Sequence, residues 1–537
     1  MSYHVCRDHA SCECEVEELF LAMRDGVRLY TILAYPSGAG CCPLVVIRTP
    51  YAKVEPPDLQ EFCDSHRDYL LSGYGVVVQH CRGSGCSEGD CIPYINEHDD
   101  GLDCLAALRR HPVFNGEFFL FGGSYCTSVH LSYLKEKTAD VKGAFLAVQD
   151  DNRYNILYRN GLFKCGLHGG WYASRMYKQK TLRISYCEDA WRMLPLSGFC
   201  QAVFGEEAPL SEELRHPAPD DPFWQTLAGG VNYYGALEGL EIPVALVTSW
   251  HDLYNEGVIQ MWRRIPKAQR IRCPLLVTPW GHAWNNPNVS PYAFAGGEVP
   301  DTLPVQWFDH IRKGTPLDFF PATGVKWYNL FGDQWETGAD LPCGANSLRL
   351  FLNDGFALST ISTAPGAITY TYNPFAPASF NGGCCNTFGG MQIQDKPNSR
   401  YDILSFITEP FAAPVQVCGR SEIELKVRSD CPDTCFYARL SFIRDDVAYC
   451  MRDDICTLSQ FAPDYTPGEV VTLKMHFAED VFRVGVGDRL RLDISSSAWP
   501  HYVPHTNRRG LFSEQTGADV AHNTILTGLS SLTLRID

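Results

Sequence analysis

A chain of 537 residues that is 45% hydrophobic and 20% charged is too long for one core and too apolar for wholesale disorder, so two or three folded domains are expected. The formal charge of −17, from 62 acidic against 45 basic residues, argues against nucleic acid or an anionic membrane as a partner. No apolar run approaches the roughly 20 residues of a membrane span, and the 23 cysteines follow a start with neither a charged n-region nor an apolar h-region, which predicts a cytoplasmic protein with mostly reduced thiols.

The first segment, His4-x-Cys6-x-x-His9-x-x-Cys12-x-Cys14, packs soft ligands closely but matches no common zinc spacing, so a cysteine-rich leader is expected and no metal site. The adjacent pairs Cys41-Cys42 and Cys384-Cys385 carry no further signal. From Cys14 to Ala34 apolar and polar residues alternate around Asp25-Gly26, which predicts an antiparallel hairpin. Strand and helix patterns then take turns: a strand over Leu44 to Ile47, a helix over Leu59 to Leu71, a strand over Gly75 to Gln79 and a helix over Glu97 to Arg110. The apolar run Phe118-Phe119-Leu120-Phe121 breaks at Gly122-Gly123 and presents Ser124 before a helical pattern resumes, the outline of a nucleophile elbow. The last glycine of the G-x-S-x-G pattern is replaced by Cys126, whose thiol is reactive only if something lowers its pKa. A strand over Gly143 to Val148 completes a run of parallel units and an α/β class for this half.

Between Asp150 and about Leu240 strand signals stop, leaving aromatics, glycines and helical patches such as Glu188 to Leu194. Two buried strands follow, Val244 to Thr248 and Leu275 to Thr278, each ending in a titratable group on its carboxyl-end loop: Asp252 after the first, His282 after the second. Ser124, Asp252, His282 is the chain order that α/β-hydrolases use for a catalytic triad. Read alone, Asp252 serves equally as a helix N-cap. A helix over Val305 to Lys313 ends at Gly314, and from about Thr323 short alternating runs, among them Lys326 to Leu330, Ile423 to Val427 and Phe436 to Ile443, predict an all-β sandwich.

Eight segments in order give the chain a family resemblance: Met23-Arg24-Asp25-Gly26-Val27-Arg28-Leu29, Arg48-Thr49-Pro50-Tyr51, the loop from Arg82 to Gly89, Gly122-Gly123-Ser124-Tyr125, Trp250-His251-Asp252, Pro279-Trp280-Gly281-His282, Tyr372-Asn373-Pro374, and Ser495 to Pro500. Over nearly its whole length the chain resembles the cocaine esterase and X-prolyl dipeptidyl aminopeptidase family of serine hydrolases. The resemblance implies an α/β-hydrolase domain over 1–149 and 241–318, an inserted helical cap over 150–240, and a C-terminal jelly roll, galactose-binding-like in fold, over 319–537. It implies Ser124 as nucleophile, His282 as base, Asp252 as the orienting acid, and an oxyanion hole from the Tyr51 phenol and the Tyr125 backbone N–H. The cap would supply the pocket through Trp171 and Tyr172, with Tyr177 a further candidate, although an aromatic in a helical insert is more often plain core. Tyr254, two residues past the acid, has the firmer claim. Thr127 and His80 depart from the family's usual glycine and aspartate, outside the catalytic groups.

The expected function is acyl-enzyme hydrolysis of an ester or amide bond in a small acyl substrate, with no cofactor. A carboxylesterase is favoured over an X-prolyl dipeptidyl aminopeptidase or α-amino acid ester hydrolase. Those alternatives need a carboxylate for a free α-ammonium, and only one, Glu256, directly follows the acid in Leu253-Tyr254-Asn255-Glu256. Asp150, Asp151 and Glu256 are the residues that could reverse this choice. A binding protein on a retired hydrolase fold is the remote alternative, and a homodimer is compatible with the reading.

Overall fold

The computed structural model describes residues 2–7, 13–136, 138–177, 188–226, 233–383 and 389–537. His9, Cys12 and the pair Cys384-Cys385 lie outside the described residues. Among the described residues no helix is long and apolar enough to cross a membrane, no cluster of three or more candidate ligands could hold a metal ion, and most of the cysteines are buried.

The strands of the first part are β1 (Ser2–Arg7), β2 (Glu13–Ala22), β3 (Arg28–Pro36), β4 (Cys42–Thr49), β5 (Gly75–His80), β6 (Phe114–Gly123), β7 (Val141–Ala147), the ribbon strands β8 (Tyr158–Arg159) and β9 (Leu162–Phe163), β10 (Val244–Ser249), β11 (Leu275–Thr278), β12 (Val325–Asn329) and β13 (Gln334–Gly338). All except β8 and β9 form one sheet in the order β1-β2-β3-β5-β4-β6-β7-β10-β11-β12-β13. From β5 to β12 neighbouring strands run parallel, and the margins pair antiparallel, including the predicted β2–β3 hairpin. β5, β10 and β11 are buried along their whole length because helices cover both faces, which is why they read as continuous apolar runs.

The covering helices are α1 (Leu59–Ser65), α2 (Arg67–Leu71), α3 (Glu97–Leu108) and α4 (Tyr125–Leu134), with α5 (Arg153–Leu157), α6 (Phe199–Phe204) and α7 (Pro209–Glu213) in the insertion, then α8 (Asn255–Arg264), α9 (Lys267–Arg270) and α10 (Leu303–Lys313). The single helix expected over 59–71 is broken at His66, whose Nδ1 lies 2.8 Å from the Phe62 carbonyl oxygen, so the ring satisfies a helix-end acceptor. α10 stops at Gly314, which takes the left-handed conformation (φ 69°) that ends helices at glycine.

Two expectations are corrected here. The eleven-stranded sheet extends past residue 318: β12 pairs in parallel with β11 and β13 closes the edge, so the run from Lys326 belongs to this sheet and the sandwich begins after it. β12 is mostly buried and β13 beyond it is half-exposed, and a short strand of this kind resembles a sandwich strand from local pattern alone. The insertion is also less helical than expected. It contains the β8–β9 ribbon and two π-type turns, Cys165–Gly169 and Tyr172–Met176, among its short helices.

Beyond β13 the chain folds into two antiparallel sheets, one of nine strands and one of four among the described residues. The sandwich closes on the cap. A Cβ at Gly166 would lie 2.4 Å from the Pro500 carbonyl oxygen, so only glycine admits this approach. Arg159 joins all three parts: from the cap it donates to Asp454 of the sandwich at 2.7 Å and to Glu256 of α8 at 2.8 Å.

Candidate active site

Ser124 stands between β6 and α4 with φ 56° and ψ −132°, a backbone conformation rare for a residue with a side chain. The turn persists because its surroundings over-determine it. The Ser124 N–H donates to the Ala147 carbonyl at 3.0 Å, and the Thr127 hydroxyl lies 2.8 and 3.0 Å from the carbonyls of Gly122 and Ala147. Thr127 therefore pins the first turn of α4 to the ends of β6 and β7. A Cβ at Gly122 would fall 2.6 Å from the Cys126 carbonyl, which explains the glycine there, whereas Gly123 faces open space. Cys126 is buried, and desolvation pushes its thiol up to about 11, which makes it inert at neutral pH.

β10 and β11 deliver the other two groups. Their carboxyl-end loops hydrogen-bond to each other, Trp250 N–H to Thr278 O at 2.8 Å and His251 N–H to Trp280 O at 3.2 Å. The tryptophans of both motifs anchor these loops, the Trp250 indole donating to Tyr328 O at 2.6 Å and the Trp280 indole to Gly297 O at 3.0 Å. His282 Nε2 consequently accepts from Ser124 Oγ at 2.9 Å, and its Nδ1–H donates to Asp252 Oδ1 at 2.8 Å. Asp252 is fully buried, and its second oxygen accepts from the Thr248 hydroxyl at 3.1 Å. Because a carboxylate only accepts, Asp252 fixes the tautomer that leaves Nε2 free to take a proton. α8 begins at Asn255, so Asp252 lies outside the N-cap position it could have filled.

The sandwich braces this acid loop. Buried Arg452 donates to Trp250 O, to Asn255 Oδ1 at 3.3 Å and to Glu479 O at 2.7 Å, and Asn255 Nδ2 in turn donates to Ser249 O at 2.9 Å. Arg452→Met is expected to lower stability by about 2–4 kcal/mol, since buried acceptors lose charged donors. Denaturant unfolding would show the loss, with a fall in kcat as the loop loosens.

Tyr51, just past β4, exposes 43% of its surface yet turns its hydroxyl toward the Ser124 hydroxyl, the Trp171 indole and the Tyr125 N–H. Desolvation pushes this phenol up to about 12, so it is a neutral donor at physiological pH. The Tyr125 ring is buried, with its hydroxyl bonded to Glu97 Oε1 and accepting from the Tyr94 N–H at 2.7 Å. That bond holds the start of α4, where the Tyr125 backbone N–H lies near the Tyr51 hydroxyl.

The cavity at Ser124 is small, about 20 Å³. Tyr51, Tyr94, Trp171 and Tyr254 supply its aromatic wall. Trp171, between the two π-type turns, lies against Tyr125 at 5.4 Å between ring centroids, and Tyr254 meets His282 edge-on at 5.8 Å. Leu167 and Leu253 add aliphatic surface, and Gln149 and His168 are the polar residues of the lining beyond the groups already placed. Tyr172 is a correction. It faces away from this cavity and stacks on Tyr177 at 5.4 Å, because the turn that aims Trp171 at the serine sends its neighbour into the cap core. Gln149, His168, Leu167 and Tyr94 were not foreseen. The one available signal was Gln149's place just past β7, at the sheet edge where ligands bind.

Leu253 also lines a second, larger cavity of about 860 Å³ where cap, α8 and sandwich meet. Of the three acids weighed from sequence, Asp150 and Glu256 line it, and all three are already engaged. Glu256 binds Arg159 and Arg420, Asp151 binds Arg264, and Asp150 accepts from the Asn152 N–H at 2.8 Å and Asn155 Nδ2 at 3.1 Å. Burial and the neighbouring Asp151 raise the Asp150 carboxyl above its ordinary range.

Residues 25–284 match the model of the X-Pro dipeptidyl-peptidase (S15 family), and residues 320–531 match the X-Pro dipeptidyl-peptidase C-terminal non-catalytic domain. Cocaine esterase of Rhodococcus sp. (strain MB1 Bresler) is 24% identical over 93% of each chain. Among solved structures, an aminopeptidase from the marine sediment archaeon Thaumarchaeota archaeon superposes with a TM-score of 0.83 at 20% identity, covering 100% of this chain and 96% of that one. An α-amino acid ester hydrolase gives 0.80 at 20% identity, with 98% and 97% covered.

Proposed function

Since the chain belongs to the cocaine esterase and X-prolyl dipeptidyl-peptidase (S15) family of serine hydrolases, we propose that it is a carboxylesterase for small acyl groups, with Ser124, His282 and Asp252 as its triad. Ser124 Oγ attacks the ester carbonyl as His282 Nε2 takes its proton, and Asp252 stabilises the imidazolium. The Tyr51 hydroxyl and the Tyr125 N–H hold the developing oxyanion. His282 then protonates the departing alkoxide, leaving an acyl-serine. Water attacks that ester with His282 again as base, and collapse of the second intermediate releases the acid and restores Ser124.

The observation that carries the ester reading is the pocket chemistry. Among the described residues lining the cavity at Ser124 none is a carboxylate, and the three nearby acids are held by other partners. A free α-ammonium would be desolvated there without a counter-charge, at a cost of several kcal/mol, whereas a neutral acyl group incurs no such cost.

The deciding experiment is hydrolysis of p-nitrophenyl butyrate beside alanyl-prolyl-p-nitroanilide. Turnover of the ester with the anilide intact supports the reading. Efficient cleavage of the anilide replaces it with an aminopeptidase, with Asp150 the first acid to mutate. Tyr51→Phe is expected to cut kcat about 10²–10³-fold with a smaller change in KM, because the lost donor acts on the transition state more than on bound ester.

A further inference from the structure

Gln149 and His168 both line the cavity at Ser124 with a buried polar atom that makes no hydrogen bond among the described residues, but His168 Nε2 has the Glu213 carboxylate at 3.5 Å and Gln149 Oε1 has no such neighbour. Gln149 is 1% exposed, immediately past β7, and it lines the catalytic cavity. Its Nε2 donates to Ser128 Oγ, which donates in turn to the Tyr233 hydroxyl at 3.2 Å. Because Ser128 spends its one proton on Tyr233, its oxygen is the acceptor for the amide N–H, which fixes the amide's orientation. Gln149 Oε1 is thereby left buried with no hydrogen-bond partner among the described residues. An unpaired buried carbonyl is costly, and it calls for a ligand that brings a donor.

We propose that Gln149 is a specificity-determining residue whose Oε1 accepts a hydrogen bond from a hydroxyl on the substrate's acyl group, so that the preferred substrates are esters of short hydroxy acids. This rests on the esterase reading above. The acyl side is assigned because the leaving group must reach solvent while the acyl group stays, and a residue this enclosed faces the part that stays. A hydroxyl is assigned over an ammonium because the lining supplies no carboxylate, and the small cavity favours a short chain. Gln149 moves no proton. It compensates the desolvation of a substrate hydroxyl that an apolar wall would reject.

The test compares phenyl esters of propionic, lactic and 2-methoxypropionic acid, and of butyric, 3-hydroxybutyric and 3-methoxybutyric acid, by kcat/KM. At least one hydroxy ester is expected to exceed both its deoxy and methoxy counterparts by about tenfold. That ratio should fall toward one in Gln149→Met and shrink in Ser128→Ala, which leaves the pocket wall in place but frees the amide to turn. Labelling of Ser124 by a fluorophosphonate reports the triad separately in every protein. A labelled wild type without preference for either hydroxy ester overturns the proposal and leaves the esterase reading intact, as does a preference that survives in either labelled variant. A wild type that neither labels nor hydrolyses any ester overturns the esterase reading itself.

Discussion

Ser124→Ala is expected to abolish fluorophosphonate labelling and to lower ester turnover about 10⁶-fold, to the residual rate that oxyanion donors and binding alone supply. The size follows from the geometry. Ser124 Oγ is the atom that His282 Nε2 faces at 2.9 Å, and among the described residues of the cavity it is the sole aliphatic hydroxyl beside that nitrogen. Alanine meets the same φ of 56° as serine, since the strain belongs to the backbone and Cβ and not to the hydroxyl. Folding should therefore be retained, and the thermal midpoint should stay close to that of the wild type. A variant that keeps a substantial share of its turnover while losing the label would place the chemistry on another group.

Asp252→Asn should lower kcat about 10⁴-fold with little change in KM. The asparagine amide is isosteric and can still meet His282, but it can donate to Nδ1 and so favour the tautomer whose proton sits on Nε2, facing Ser124. That nitrogen then cannot accept the serine proton. The same substitution separates the two readings that Asp252 allowed before its surroundings were visible. Asparagine caps helices about as well as aspartate, so a residue kept for capping would tolerate the change. The 2.8 Å contact to His282 Nδ1 and the start of α8 three residues later favour the catalytic result. Loss of stability without loss of kcat would reverse that conclusion.

The reach of local pattern is clearest where backbone chemistry dominates. Gly122 is read from sequence because no other residue clears the Cys126 carbonyl behind the elbow, and the apolar runs of β10 and β11 are read because a parallel strand covered on both faces has no polar side. Both constraints lie within a few residues. The same holds for the hairpin around Asp25-Gly26 and the stop of α10 at Gly314. The strand β12 was harder, since a short buried strand reads alike in a hydrolase sheet and in a sandwich.

The amino-acid sequence by itself thus determined the α/β sheet, the elbow and the succession of serine, acid and histidine, because strand burial, turn chemistry and chain order are properties of short segments. Only the tertiary structure decided that Trp171 lines the cavity at Ser124 while Tyr172 turns into the cap, that Arg452 from the sandwich braces the acid loop, that Asp150, Asp151 and Glu256 are already engaged, and that Gln149, in the lining of that cavity, keeps an unpaired oxygen. Those outcomes depend on side-chain directions in irregular turns and on contacts between residues up to about two hundred positions apart, and neither leaves a periodic trace along the chain.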